Sequence, residues 1–376
     1  MRVWTQSALI VGFLILMMGC GDTSPSDTSP DAEDSASGDE LTDTTTSSPD
    51  EEDQSTDSPD DAVDGCVNTF GVLENVPAFL SETGLYTNIS TKEVHASVWD
   101  FDPKYRLWSD SAEKMRWIYL PECEPIDTRN MDDWSLPVGS QLFKEFIVDG
   151  KRVETRFITR TGPSTHDYLY ATYIWNEDET EATLAAAEGV PAGDGLPYDI
   201  PSEPACRQCH GDFAIEGGRP SRALGFSALL LSHDDDGLTL DDLVSTGRLS
   251  HPPEGPIEIP GDDVARQAIG YLHVNCGGCH NATTDAVPHV DLNLWYDVGQ
   301  TDVEQTPAYL TAVGRANQSF NDQHVTARIE PGVPEASSII YRMSERGNNA
   351  QMPPIGTTMI DEAGIALVEA WVESLQ

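Results

Sequence analysis

Two short cysteine motifs constrain this chain more than any other feature. Residues 206–210 read CRQCH and residues 276–280 read CGGCH, so both follow the pattern C-x-x-C-H, and 66 residues separate the two cysteine pairs. In c-type haem attachment, two thiols on one helical turn bond to one porphyrin edge and the adjacent His binds the iron. The pattern therefore predicts two covalently attached haem c groups, bonded through Cys206, Cys209, Cys276 and Cys279, with iron ligands His210 and His280.

Two other chemistries also use paired cysteines. A thioredoxin-like redox pair and a four-cysteine zinc site both contain C-x-x-C, but neither requires a His after the second Cys. The 66-residue separation also exceeds the usual spacing of a zinc ribbon. Haem attachment accounts for more of the pattern than either alternative.

The second motif lies in a sequence setting typical of a cytochrome c domain, predicted over residues 261–376. Asp262 or Asp263 can cap a helix over residues 264–274 that leads directly to Cys276. Apolar residues at helical spacing predict an amphipathic helix at the C-terminal end. These residues are Ile365, Val368, Trp371, Val372 and Leu375.

The sixth ligand of the second haem is predicted to be a methionine. Met352 precedes two prolines in a loop ahead of the last helix, where a thioether can reach the iron. Met343 and Met359 are alternatives, and Met352 serving only as a packing residue is a further one.

The first motif lies in a different setting, the haem-binding segment predicted over residues 201–260. Gly- and Pro-rich sequence precedes Cys206, and no Met occurs between His210 and Met343. The sixth ligand is then a His, a residue from elsewhere in the chain, or nothing. His233 and His273 are the leading candidates. The remaining histidines considered are His166, His251, His289 and His324.

Several segments together resemble a family of bacterial di-haem c-type cytochromes of largely unassigned function. The resemblance covers roughly residues 100–376 and implies a haem protein without implying a particular reaction. Members of the family often carry His where Gly278 stands here. The segments that carry the resemblance are residues 107–114, 116–118, 144–146, 173–177, 271–281, 331–338 and 352–354.

The N-terminal end of the sequence predicts export and lipid attachment. Residues 8–18 are mostly apolar, too short a run to span a bilayer, and fit the core of a signal peptide over residues 1–19. Residues 17–20, MMGC, resemble a bacterial lipobox, so we expect lipidation at Cys20. Residue 21 is Gly rather than the Asp of the inner-membrane retention signal, which favours the outer membrane, facing the periplasm or the cell surface.

An acidic segment follows the predicted lipid anchor. From Gly21 to Gly65 there are sixteen acidic residues and no Lys or Arg, among Ser, Thr and Pro. Such a sequence cannot bury enough apolar surface to offset the entropy of ordering, so residues 20–65 are predicted to form a disordered tether. The formal charge of the whole chain is −43, which excludes a nucleic-acid partner because phosphate contacts need clustered cations.

Residues 66–200 are predicted to form a β-rich domain. Strands are expected at residues 142–148, 153–160 and 168–175, and Asp149-Gly150 predicts a two-residue hairpin between the first two. With tryptophans available for a core, a β-sandwich fits best. The predicted fold class is therefore α+β and multidomain: a β-sandwich-like domain followed by a mainly α-helical cytochrome c-type region.

Two cysteines and a few polar residues outside the haem motifs are also candidates for a structural or catalytic role. Cys66 and Cys123 remain as an even pair in an exported protein, and we expect a disulfide between them. His95, His166 and Asp110 are too scattered to predict a catalytic site in the β-rich domain.

The function expected from the sequence is electron transfer by a membrane-anchored di-haem cytochrome with a redox protein as partner. One alternative is a di-haem peroxidase-type enzyme with an open site at the first iron. Another is a β-domain that binds a ligand, with the cytochrome as its redox partner. An electron carrier is favoured over an enzyme.

Overall fold

The computed structural model describes residues 68–122, 124–164, 166–193, 195–210, 223–282, 287 and 290–376. The predicted signal peptide and tether, the lipidation site Cys20, the disulfide pair Cys66 and Cys123, and His289 all lie outside these residues. The chain divides into two units, Met1–Asp60 and Asp61–Gln376, and every described residue belongs to the second.

A six-stranded antiparallel sheet occupies the first part of the described chain. Its strands lie side by side in sequence order, from β3 to β8, and a separate two-stranded sheet pairs β1 with β2. The strands are β1 (Tyr86–Asn88), β2 (Glu93–Val94), β3 (Val98–Asp100), β4 (Glu113–Tyr119), β5 (Gln141–Val148), β6 (Lys151–Arg160), β7 (Tyr168–Trp175) and β8 (Ala182–Leu184).

The predicted hairpin between β5 and β6 is confirmed. Val148 pairs with Lys151, so the connection is the two-residue turn Asp149-Gly150. Both turn residues have positive φ, 51° and 75°, as a type I′ turn requires. Asn, Asp and Gly tolerate this backbone best, which is why the turn could be predicted from sequence.

The two faces of the large sheet pack against different partners. Trp117, Phe143 and Phe157 point to one face and are buried together with Leu80 and Leu85 from the segment that precedes the sheet. Ile118 and Leu142 belong to the opposite face and are buried in the core that the helices share. A sandwich would require a second sheet of comparable size, whereas the described residues add only the two-stranded β1–β2 sheet. The predicted sandwich is therefore corrected to a single large sheet covered on one face by helices.

The helices follow the sheet in sequence. They are α1 (Glu203–His210), α2 (Ala228–Leu231), α3 (Leu240–Ser245), α4 (Asp263–Asn275), α5 (Pro307–Ala312), α6 (Ser338–Met343) and α7 (Glu362–Ser374). Among the helices of the described residues, none has both the length and the apolar character needed to cross a membrane.

The two long helices match the sequence prediction and pack against each other. Asp262 caps α4 by accepting a hydrogen bond from the Ala265 N–H at 2.9 Å. The Tyr271 ring of α4 lies directly against Gly364 of α7, where a side chain would collide with it. Because Gly364 has no side chain, the two helices can approach closely one and a half turns before Cys276.

One hydrophobic core joins the sheet to the helices. It includes Ile118 and Leu142 of the sheet, Leu230 of α2, Ile269 of α4 and Trp371 of α7. The mixed α and β content is thus as expected. The boundaries at residues 200 and 260 stay predictions, since a shared core does not locate them.

Candidate functional site

The first C-x-x-C-H motif lies on the short helix α1. The motif forms the last five positions of this helix, with Cys206, Cys209 and His210 among them. Ser202 precedes the helix and accepts hydrogen bonds from the Ala205 N–H at 3.4 Å and from the Cys206 thiol. Pro204 is tolerated because the first helical turn has no N–H partner to lose. The helix ends at the His, so both thiols and the imidazole are within one and a half turns.

Helix α1 rests on strand β7 of the large sheet. The Tyr170 and His210 rings lie 5.8 Å apart, and the Tyr170 hydroxyl donates to the His210 carbonyl at 3.4 Å. The Arg207 guanidinium lies 5.3 Å from the centre of the Tyr170 ring and pairs with Glu203 at 2.6 Å. The β-rich region therefore supports the first motif directly.

The second motif begins where α4 ends. Cys276 is the C-cap of the helix, and the N–H groups of Cys279 and His280 both donate to the Cys276 carbonyl. The His280 carbonyl in turn accepts from the Leu294 N–H at 2.8 Å. The motif is thus a tight turn held between α4 and the segment around Leu294.

The two glycines between these cysteines have different surroundings. A Cβ on Gly277 would lie 2.5 Å from the His273 carbonyl oxygen, 3.0 Å from the Trp295 Cα and 3.1 Å from the Leu294 carbonyl oxygen. A Cβ on Gly278 would meet no atom within 4 Å. Gly277 is therefore required by close backbone packing, whereas the space at Gly278 is open.

The structure brings the two motifs together. Burial raises the pKa of the Cys209 thiol, and the Cys279 thiol of the other motif lies close enough to raise it further. Burial likewise raises the pKa of Cys206 and Cys279, and raises that of Cys276 to about 12. None of these four cysteines forms a disulfide bond.

These thiols do not have the properties of a redox-active pair. A reactive C-x-x-C pair depends on a lowered thiol pKa, which stabilises the attacking thiolate. Here the pKa shifts have the opposite direction. Within the described part of the chain, no three His, Cys, Asp or Glu side chains are arranged to hold one metal ion.

The residues of the second motif fit a c-type haem. Burial, together with the Arg342 and Arg328 guanidinium groups, lowers the pKa of His280 to about 4, so its ring is neutral at physiological pH. The neutral imidazole is the form that binds a metal. The Nδ1 atom of His280 is buried and has no partner among the described residues.

Comparisons with protein-family models, curated proteins and solved structures find no match. The assignment of the site therefore depends on its own residues and geometry.

The three candidate methionine ligands have different environments. Met343 is 5% exposed and packs in the shared core, whereas Met359 is 51% exposed. Met352 is half-buried, and its N–H donates to the Arg342 carbonyl at 3.0 Å. Because Arg342 also influences His280 electrostatically, Met352 lies in the same neighbourhood as the second motif.

Asp110 fixes the loop that follows Met352. Its Oδ1 accepts hydrogen bonds from the Thr357 hydroxyl at 2.6 Å and the Met359 N–H at 2.9 Å. Its Oδ2 accepts from the N–H and the hydroxyl of Thr358, both at 2.8 Å. Burial acts to raise the pKa of Asp110, but these hydrogen bonds outweigh it and leave the pKa below its ordinary value.

Trp108 links the same loop to the second motif. Its indole N–H donates to the Met359 carbonyl at 3.2 Å, and its backbone N–H donates to Asn275 Oδ1 at 2.7 Å. Asn275 immediately precedes Cys276. Residues 108–110 therefore connect the cysteine turn and the methionine loop, a role that the sequence analysis missed because the contacts span more than 160 positions.

We expect Asp110→Asn to lower the free energy of unfolding by about 2 kcal/mol. The amide NH2 group would replace a carboxylate oxygen that accepts two hydrogen bonds, and it cannot accept either of them. Urea unfolding of the purified protein measures the change. Asp178→Asn is the matched control, since Asp178 is exposed and makes no hydrogen bond or ion pair within the described residues. Equal stability of the two variants would show that Asp110 does not hold the loop.

His233 and His273, the candidates for the first iron, are both largely buried. His273 Nδ1 accepts the Tyr296 N–H at 3.0 Å, so a neutral ring carries its proton on Nε2 and has no lone pair for a metal there. His233 Nδ1 accepts the Asp235 N–H at a longer 3.2 Å and lies 3.8 Å from the Asp235 carboxylate. The argument made for His273 therefore applies to His233 too: Nδ1 accepts a hydrogen bond, so a neutral ring carries its proton on Nε2.

Hydrogen bonding at Nδ1 is therefore the same for His233 and His273. His233 Nε2 is buried and has no partner among the described residues. Among the residues that the structure describes, His233 makes no hydrogen bond or ring contact with α1. The sixth ligand of the first haem therefore stays a prediction.

Proposed function

We propose that this protein is a di-haem c-type cytochrome that transfers electrons. The observation that carries the proposal is that each C-x-x-C-H motif is a compact unit: the first lies at the end of α1, and in the second the N–H groups of Cys279 and His280 both donate to the Cys276 carbonyl. The Cys279 thiol also raises the pKa of Cys209, which supports a short distance between the motifs. Haem attached at both motifs would place two redox centres next to each other. The protein would hold each iron through His210 or His280, and the porphyrin iron would supply the one-electron chemistry.

The surrounding residues suit a redox centre that changes little between oxidation states. The cysteine turn is fixed by α4 and Gly277, and the methionine loop is fixed by Asp110 and Trp108. Rigid ligands minimise rearrangement when an electron arrives or leaves. We therefore infer that Met352 is the sixth ligand of the second iron and that its thioether raises the potential there.

The proposal extends to the organisation of the whole chain. The β-rich region of residues 66–200 acts as a scaffold for the first motif, and residues 261–376 form the cytochrome c-like domain. Export by residues 1–19, lipid at Cys20 and the acidic tether of residues 20–65 would hold the haems at the outer membrane, accessible to a redox protein. The resemblance to bacterial di-haem cytochromes supports the same organisation.

We expect electron paramagnetic resonance of the oxidised protein to show two low-spin irons. We also expect His233→Ala to turn the first iron high-spin, because a sixth ligand would be lost, while the second iron stays low-spin. His273→Ala is the comparison variant, and a spin change in that variant alone would transfer the assignment to His273.

The same measurement separates electron transfer from peroxide chemistry. A wild-type protein with one high-spin iron that binds cyanide and turns over peroxide would overturn the electron-transfer proposal. Such an iron would have the open position that a di-haem peroxidase needs.

A further inference from the structure

Three cationic side chains lie in one row across the large sheet. Arg116 of β4 pairs directly with Lys144 of β5, and Lys144 pairs directly with Arg156 of β6. Adjacent strands lie about 4.8 Å apart, so the row spans roughly 10 Å. Like charges directly opposite each other destabilise a sheet, so this row is costly unless a negative charge faces it.

The outer members of the row have acidic partners, whereas no described residue forms an ion pair with the central one. Arg116 pairs with Asp102 at 2.8 Å, and Arg156 pairs with Glu154 at 2.7 Å. Lys144 makes no hydrogen bond or ion pair within the part of the chain that the structure describes. Its ammonium group lies 4.9 Å from the centre of the Phe146 ring.

The environment of Lys144 strongly disfavours an isolated charge. Burial lowers its pKa well below the ordinary value, and Arg116, Arg156 and Lys114 lower it further; Glu154, which already pairs with Arg156, acts in the opposite direction. The chain has 64 acidic and only 21 basic residues, so an unpartnered lysine between two arginines is unexpected. Lys144 is half-buried, and a partly desolvated cation between two like charges is costly unless an anion faces it, which indicates that an anion belongs here.

The row belongs to the face of the sheet that supports the first motif. Arg156 pairs across the sheet with Thr172, two residues from Tyr170, and Tyr170 contacts α1. Residues two apart in a strand share a face. Arg156 also acts electrostatically on both Cys206 and Cys209, and Lys144 acts on Cys209.

We propose that Lys144, flanked by Arg116 and Arg156, binds a carboxylate of haem: a propionate of a porphyrin attached at the C-x-x-C-H motifs. This inference rests on the proposed function, because it takes the haem as given. Each porphyrin carries two propionates, and a propionate placed near buried protein surface needs a cation to offset its desolvation. The row supplies that charge on the sheet face that contacts α1, and its span of roughly 10 Å extends toward the propionate edge of the porphyrin, which is opposite the edge bonded to the cysteines.

The test uses the haem-loaded protein and measures both midpoint potentials by spectroelectrochemistry. A cation near the porphyrin destabilises the ferric state, so we expect Lys144→Met to lower the potential of one haem. We expect Lys144→Arg to keep that potential. Lys151→Met is the matched control, because Lys151 is exposed at the start of β6, and it should leave both potentials nearly unchanged.

The outcomes are distinguishable. Two haems with unchanged potentials in Lys144→Met would overturn this inference and leave the proposed function intact, whereas a wild-type protein without haem would overturn the proposed function itself. If Lys144→Met does not accumulate, Lys144→Gln removes the same charge. The alternative occupant of the row is a free carboxylate from solution. If adding acetate at constant ionic strength shifts a midpoint potential of the wild-type protein, the assignment to a propionate is overturned.

Discussion

Gly277→Ala is expected to destabilise the second motif severely. The added methyl group would overlap three backbone atoms, the closest being the His273 carbonyl oxygen at 2.5 Å. Backbone atoms cannot move aside as the end of a flexible side chain can, so we expect a loss of roughly 3 kcal/mol in the free energy of unfolding. We also expect about half of the covalently bound haem to be lost, because the turn that presents Cys276 and Cys279 would be distorted.

Gly278→Ala is the matched control for this prediction. It places the same methyl group one residue later, where no atom lies within 4 Å. Its stability and haem content should match those of the wild-type protein. Equal behaviour of the two variants would show that the packing around Gly277 is not a constraint.

Met352→Ala is expected to lower the midpoint potential of the second haem and to abolish the charge-transfer band of the thioether–iron bond near the red end of the spectrum. The thioether favours ferrous iron, so its loss stabilises the ferric state. We expect a fall of roughly a tenth or more of the ~0.8 V range over which axial ligands set haem potentials. Spectroelectrochemistry measures both quantities on one sample.

Met359→Ala provides the control, because Met359 contributes only backbone atoms to the contacts with Asp110 and Trp108. Its band and potentials should be those of the wild type. A band that survives in Met352→Ala and disappears in Met359→Ala or Met343→Ala would move the ligand to that residue.

Local patterns made much of this fold predictable. The β5–β6 hairpin follows from Asp149-Gly150, because few residues accept two consecutive positive φ angles. Helices α4 and α7 follow from their apolar spacing, and α4 also from its capping residue Asp262. In each case the determining residues lie within about a dozen positions of one another.

Contacts between distant segments were not predictable. The sequence does not indicate that helices rather than a second sheet cover the Ile118 and Leu142 face, since both partners would be equally apolar. The hydrogen bonds from Thr357 and Thr358 to Asp110 join residues about 250 positions apart. The Lys144 row likewise depends on strand register, because Arg116, Lys144 and Arg156 become neighbours only when three strands align.

The central claim is that each C-x-x-C-H motif carries one covalently bound haem. Intact-protein mass spectrometry after acid denaturation, with the alkaline pyridine spectrum of the same sample, tests it most directly. We expect a mass increase equal to two haems that survives denaturation, and proteolytic peptides that carry haem at residues 206–210 and 276–280. A protein produced with a functional haem-attachment system that retains no haem, or retains haem that denaturation removes, would contradict it.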